Sequence, residues 1–243
     1  MITTLSVPTI SEVLARRVEE AAARLEENPF YARLLEGRVS RAEYAGWLVQ
    51  MHKYVRHTTR SLRGLVSATA GATSGSHGAE LHEYALEEAQ EEAGHDELLL
   101  RDLAELWGTS ANEALGRIER APTSPAAASW QAQLDTLLAR FPEGIVGFGV
   151  ALEMVAARHA DRIRLSLLEG DSSLERAVAF LVAHRSEVES AHGANGTAQL
   201  DLLRGTRARS AAFYCAGAAL TLYEGIAWYL HERFGVSATI EDQ

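Results

Sequence analysis

An all-α fold, a single-domain bundle of about seven to eight helices, is what this sequence predicts, on three observations. Hydroxyl residues are repeatedly followed three positions later by glutamate, apolar residues recur at helical rather than alternating spacing, and no stretch reads as a convincing strand. The 243 residues contain no Pro/Gly/Ser-rich linker. One domain over 1–243 is therefore expected, with enough chain to bury a sizeable core.

Each helix start has a local cause. In Thr9 with Glu12, Ser40 with Glu43, Ser110 with Glu113 and Ser172 with Glu175, hydroxyl and carboxylate together satisfy first-turn N–H groups that have no partner inside the helix. Two further starts carry proline in the first turn, Pro125 after Ser124 and Pro142 after Phe141, where the missing N–H costs nothing. Apolar repeats such as Trp47, Met51, Tyr54 and Val55, or Leu174, Ala177, Val178 and Leu181, continue the helices. The expected spans are 9–27, a short turn around 29–35, then 40–69, 77–107, 110–120, 125–140, 142–169, 172–192 and 197–233. Breaks are expected at Gly37, in GATSGSHG (71–78), at Gly108, at Gly170 and around Gly193 to Gly196.

Charge and composition exclude several function classes. A net charge of -10 and a pI near 5.4 argue against nucleic acid, which wants a surplus of Lys and Arg on one face. The apolar runs 144–157 and 211–222 either contain Glu153 or are short and rich in small residues, so no membrane span is expected. The start MITTLSVPTISEVLARR lacks the pattern of a secretory signal, which makes the cytoplasm the expected compartment. The single cysteine, Cys215, excludes an internal disulfide and reads as a packed thiol in AAFYCAGAAL.

The chemistry concentrates in EEAQEEAGHDELLL, residues 87–100. At about 100° per residue on a regular helix, Glu88, Glu92 and His95 fall within roughly 60° of one another and can converge. An acidic protein also has acidic helix faces, so one helix does not decide the matter. The form Glu92-x-x-His95 recurs as Glu189-x-x-His192, and such pairs on inward-facing helices are how bundles build sites for two iron or manganese ions. Glu153 is the only acid between Glu143 and Asp161, on an apolar or small-residue stripe. Buried there, it must be neutral, ion-paired (Arg158 is the obvious partner) or bound to metal. The stretch QMHKYVRHTTRSL (50–62) offers no acid, and His184 is the alternative donor. Tyr54, Arg56 and Arg60 are candidates to contact a substrate, and His52, His57 and His159 are candidates to orient ligands by hydrogen bonding.

Taken with ENPFYARLLEGRVSRAEYAGWLVQMHKYVRHTTRSL (27–62), ALEMV (151–155) and LTLYEGIAWYLHERF (220–234), these motifs resemble the heme-oxygenase-like diiron oxidases and oxygenases. That fold is shared with thiaminase II and with pyrroloquinoline quinone synthase. The resemblance covers nearly the whole chain and implies three carboxylate and three imidazole ligands: Glu88 and His95, with Glu92 in a shorter version of the motif, then Glu153, and then His184, Glu189 and His192. It further implies two Fe(II) per chain, dioxygen as co-substrate, a homodimer, and oxidation of a small amine, amino acid or carboxylate by N-oxygenation, desaturation or C–C cleavage, in natural-product biosynthesis. The last motif departs from the family's His-x3-Asp-x2-His. Here it is His184-x4-Glu189-x2-His192, and on a regular helix the extra residue turns His184 about 140° from Glu189. One branch consumes its own tyrosine with the help of a lysine ten residues after the middle glutamate; Tyr31 is present here but Ile163 stands at the lysine position, which argues against that branch. The competing expectations are a metal-free enzyme of the thiaminase or quinone-synthase type, and a non-catalytic helical protein using the small residues of 205–222 as an interaction face.

Overall fold

A computed structural model of the chain describes residues 8–72, 77–185, 196–201 and 203–240. Among the described residues the structure is helical without strands. The expected starts form where the capping chemistry lies. Thr9, Ser40 and Ser110 each close a capping box with the glutamate three residues on, opening α1 (Ile10–Glu27), α3 (Arg41–Val55) and α7 (Ala111–Arg120). Asn28 caps the short α2 (Pro29–Leu35) and Ser124 caps α8 (Pro125–Arg140), each with proline in the first turn. Gly108 ends α6 (His95–Trp107) in the left-handed conformation, where the absence of a Cβ removes the penalty.

Three long expected helices are broken instead. The 40–69 span divides at Arg56–His57 into α3 and α4 (Thr58–Thr69). The 77–107 span divides at 92–94 into α5 (His77–Glu91) and α6, with Gly94 at φ +92, a conformation that glycine alone adopts freely. The described part of the 172–192 span, up to residue 185, is a 3-10 turn, Ser172–Ala177, capped by Asp171 rather than Ser172, and then a short α10 (Ala179–Ala183) that stops at His184. Residues 196–201 form α11, and α12 runs Gly205–Ile240, starting later and ending later than the expected 197–233.

The core is organised by α9 (Gly144–Gly170) lying against α12. A Cβ on Gly147 would sit 1.9 Å from the Ala212 carbonyl oxygen, and one on Gly144 would sit 2.6 Å from Cys215 Sγ. The two backbones therefore touch, and only glycine permits it. Ala212 and Cys215 are engaged in this contact, and both are buried along with Ala216 and Ala219, while Tyr214 in the same span is exposed. Burial pushes the Cys215 thiol up to about 11, which leaves it unreactive near neutrality. The bundle also packs α4 on α5 and α3 on α6, bringing the acidic segment 87–95 toward α9. No helix among the described residues is long and apolar enough to cross a membrane.

Candidate metal centre and its cavity

Between α2, α3, α4, α5, α9, α10 and α12 lies a cavity of about 80 Å³, several times the roughly 10–15 Å³ that admits one water. Most of its wall is apolar or aromatic, including Trp47, Tyr54, Phe148, Leu152, Ile163 and Phe180. Glu88, Glu92, Glu153 and His184 supply one polar wall. Among the described residues no lysine or arginine lines it, and Arg56 and Arg60 are exposed on the outside.

Glu92, His95 and His184 each offer one donor atom such that all three atoms lie within 4.8 Å of one another. His95 Nδ1 is 3.3 Å from Glu92 Oε2, and the two imidazole rings stand 4.5 Å apart at their centroids. The regular-helix argument that places Glu88, Glu92 and His95 on one stripe does not describe this geometry, because the helix breaks between Glu92 and His95. The Gly94 turn folds His95 back beside Glu92, and the carboxylates reach the cavity all the same. Glu189, from which the regular-helix argument rotates His184, lies outside the described residues, and His184 itself is the residue at which α10 ends. Its Nδ1 lies 2.9 Å from the Phe180 carbonyl. A carbonyl only accepts, so Nδ1 carries the proton and Nε2 carries the lone pair that can ligate.

Glu88 and Glu153 lie deeper, 4% and 8% exposed. They share a hydrogen bond, and the Glu88 carboxyl is pushed up to about 7, first by burial and then by the charges of Glu91 and Glu92. Its Oε1 is buried without a hydrogen-bond partner. Arg158, the ion-pair partner that would have explained Glu153, pairs with Glu19 and Glu26 instead. Gly196 packs against Val150, Tyr84 and Glu153, where a Cβ would come within 2.3 Å of Val150 Cγ2. The remaining candidate ligands, Glu189 and His192, lie outside the described residues.

Asp102 was not anticipated. Fully buried on α6, it accepts hydrogen bonds from the backbone N–H groups of Ala179 (3.0 Å) and Phe180 (2.8 Å). It thereby caps α10 from another helix and fixes the segment that ends in His184 relative to the segment that begins with His95. The sequence signal was an acid one turn from Leu99 and beside Leu103, on the stripe both leucines bury. Of the candidates to orient ligands, His52 is buried with its Nδ1 unpartnered and does not line the cavity. His57 receives Arg56 Nε at 3.3 Å and does not line the cavity either, whereas His159 does.

No family model and no curated protein sequence matches the chain. Solved structures do. A domain of unknown function with a heme oxygenase-like fold from Shewanella denitrificans superposes with a TM-score of 0.77 at 19% identity, covering 96% of each chain. A TenA homolog from Pseudomonas syringae pv. tomato gives 0.72 at 12% identity, over 95% of this chain and 94% of that one. A CADD-like protein of unknown function from Nostoc punctiforme gives 0.64 at 16% identity, over 92% and 97%. Likeness over nearly the full length at such low identity is a likeness of fold, and the chain has the heme oxygenase-like fold.

Proposed function

We propose that the protein is a non-haem iron oxidase or oxygenase that holds two ferrous ions and uses dioxygen to oxidise a small substrate in the cavity. The observation that carries this reading is the convergence of Glu92, His95 and His184 beside the buried pair Glu88 and Glu153. Mixed imidazole and carboxylate donors suit iron or manganese. A buried carboxyl at about 7, with one oxygen unpartnered and acids as neighbours, is what a cation site looks like when its charge is counted without the cation.

In this reading Glu92, His95 and His184 hold metal together with Glu88 and Glu153, and Glu189 and His192 complete the set. Bound iron supplies the electrons that dioxygen reduction needs. The chain's own residues do the rest. The Phe180 carbonyl fixes the His184 tautomer, Asp102 fixes α10, and the aromatic wall keeps bulk water from the reacting groups. Of the amine, amino-acid and carboxylate substrates, the amine is favoured, since no guanidinium among the described residues reaches the cavity to clamp a carboxylate.

The test is iron content after anaerobic Fe(II) loading and desalting, with absorbance followed as air-saturated buffer is mixed in. Close to two irons per chain and a transient visible band are expected, and Glu153→Ala is expected to lose the iron. Wild-type protein that retains no iron and shows no band would overturn the reading and put the metal-free enzyme of the same fold in front.

A further inference from the structure

The cavity has a second polar wall, built from groups that the carboxylate cluster does not use. Tyr31 on α2 and Tyr223 on α12 both line it, their rings edge to face with centroids 6.0 Å apart. Behind Tyr31, its hydroxyl lies 3.2 Å from His159 Nδ1, and the other ring nitrogen, Nε2, lies 3.1 Å from Glu26 Oε1. The His159 ring is 2% exposed and the Glu26 side chain 34%. Hydroxyl, imidazole and carboxylate thus stand in series from the cavity to the surface.

The surroundings fix where the protons sit. Hydrogen bonds from His159 and Arg158 hold Glu26 below the ordinary carboxylate range, so at neutral pH it accepts only. Burial holds His159 below its usual value, Arg158 and Arg162 add to this, and Glu26 opposes it. Arg158 itself is held by Glu19 and Glu26. On the other side, burial first, then Tyr223 through its charge and a shared hydrogen bond, and then Tyr54 and Glu26 keep the Tyr31 phenol protonated. A neutral imidazole facing a carboxylate carries its proton on Nε2. Nδ1 is then the acceptor for the Tyr31 hydroxyl, whose oxygen has one lone pair for the Tyr223 hydroxyl, with which it shares a hydrogen bond, and one for a neighbour in the cavity.

We propose that Tyr31, His159 and Glu26 form a proton-abstracting triad for a small cavity ligand that bears an acidic O–H or N–H. The ligand's proton passes to Tyr31 Oη as the Tyr31 O–H proton passes to His159 Nδ1. The ligand leaves the step as its conjugate base and His159 as an imidazolium whose Nε2–H remains on the Glu26 carboxylate. One X–H bond breaks, one N–H bond forms, and no electrons change hands. Tyr31 is the catalytic residue, since it touches the ligand. His159 and Glu26 act through it, the logic of a hydroxyl, a base and an orienting carboxylate.

The test uses the full chain with a chelator present, so that its outcome is independent of the metal centre, and 4-nitrophenol as the probe, whose ionised form is read by its visible band. Below the probe's solution midpoint, wild-type protein is expected to ionise the bound probe about tenfold more than Tyr31→Phe or His159→Gln, one pKa unit, with Glu26→Gln between. In parallel, nitrogen NMR of histidine-labelled protein is expected to show His159 protonated on Nε2, and Glu26→Gln, at a partly exposed site, to mix its tautomers. A wild-type spectrum identical to that of the free probe, whether from binding in neutral form or from no binding, overturns the proposal. So does a proton found on Nδ1.

Discussion

The two polar walls of the cavity both combine imidazole and carboxylate groups and are balanced in opposite ways. At Tyr31, His159 and Glu26 each polar atom in the series meets a partner, and the outermost charge reaches solvent and Arg158. At Glu88 and Glu153 two carboxyls are buried side by side, with Glu91 and Glu92 adding charge of the same sign. Asp102 makes the contrast sharper. It too is a buried acid, with its carboxyl pushed up to about 6 by burial, yet two backbone N–H groups engage both of its oxygens. A buried carboxylate that is fully hydrogen-bonded is complete as architecture, whereas one with an orphan oxygen and acidic neighbours is complete only with a proton or a cation.

The largest effect that separates the walls is the stability of metal-free protein against pH. The Glu88 carboxyl rises from 4.5 to about 7 and Asp102 from 3.8 to about 6. The folded state therefore binds these protons more tightly than the unfolded chain does, and stability falls as pH rises through those windows. Each group contributes on the order of 3 kcal/mol to the fall, at 1.36 kcal/mol per pKa unit. Urea unfolding between pH 4 and 8 measures it. Glu88→Gln is expected to remove its share of the fall between about pH 4.5 and 7, as is a bound divalent cation, which takes the carboxylate deprotonated. An unchanged profile in Glu88→Gln would mean that the two walls do not differ in this way.

A smaller effect is expected at Asp102. Asp102→Asn keeps one acceptor and turns an amide toward the second N–H, leaving a buried donor unpaired at a cost of about 1–3 kcal/mol. Because Asp102 holds α10, iron retention is expected to weaken with stability, and the loaded protein is the place to measure both. The smallest effect is expected at Glu26, which is 34% exposed. Glu26→Gln is expected to lower stability by less than about 1 kcal/mol while altering the His159 signals, which separates its role in proton placement from any role in holding the fold.

Much of the fold was legible because its signals are local. The capping residues Thr9, Ser40, Ser110 and Ser124 act on their own first turns, and periodicity then names the buried face. The breaks at His57, Gly94 and His184 were not legible. Each lies inside a stretch whose apolar periodicity reads as one continuous helix. The acids and histidines of the candidate centre could be named from motif spacing, although the spacing argument assumed an unbroken helix that does not exist.

By itself, then, the sequence determined the all-α class, most helix starts, and the identity of Glu88, Glu92, His95, Glu153 and His184 as residues to watch, because propensity, capping and the placing of acids on apolar stripes are properties of neighbours along the chain. Only the tertiary structure decided that His184 meets His95, that Asp102 bridges their helices, and that Glu26, Tyr31 and His159 stand in line. His159 is 128 residues from Tyr31 and 133 from Glu26, and no local interaction spans such separations. They are set by the packing of α1 and α2 against α9 and by the burial that holds the bundle shut.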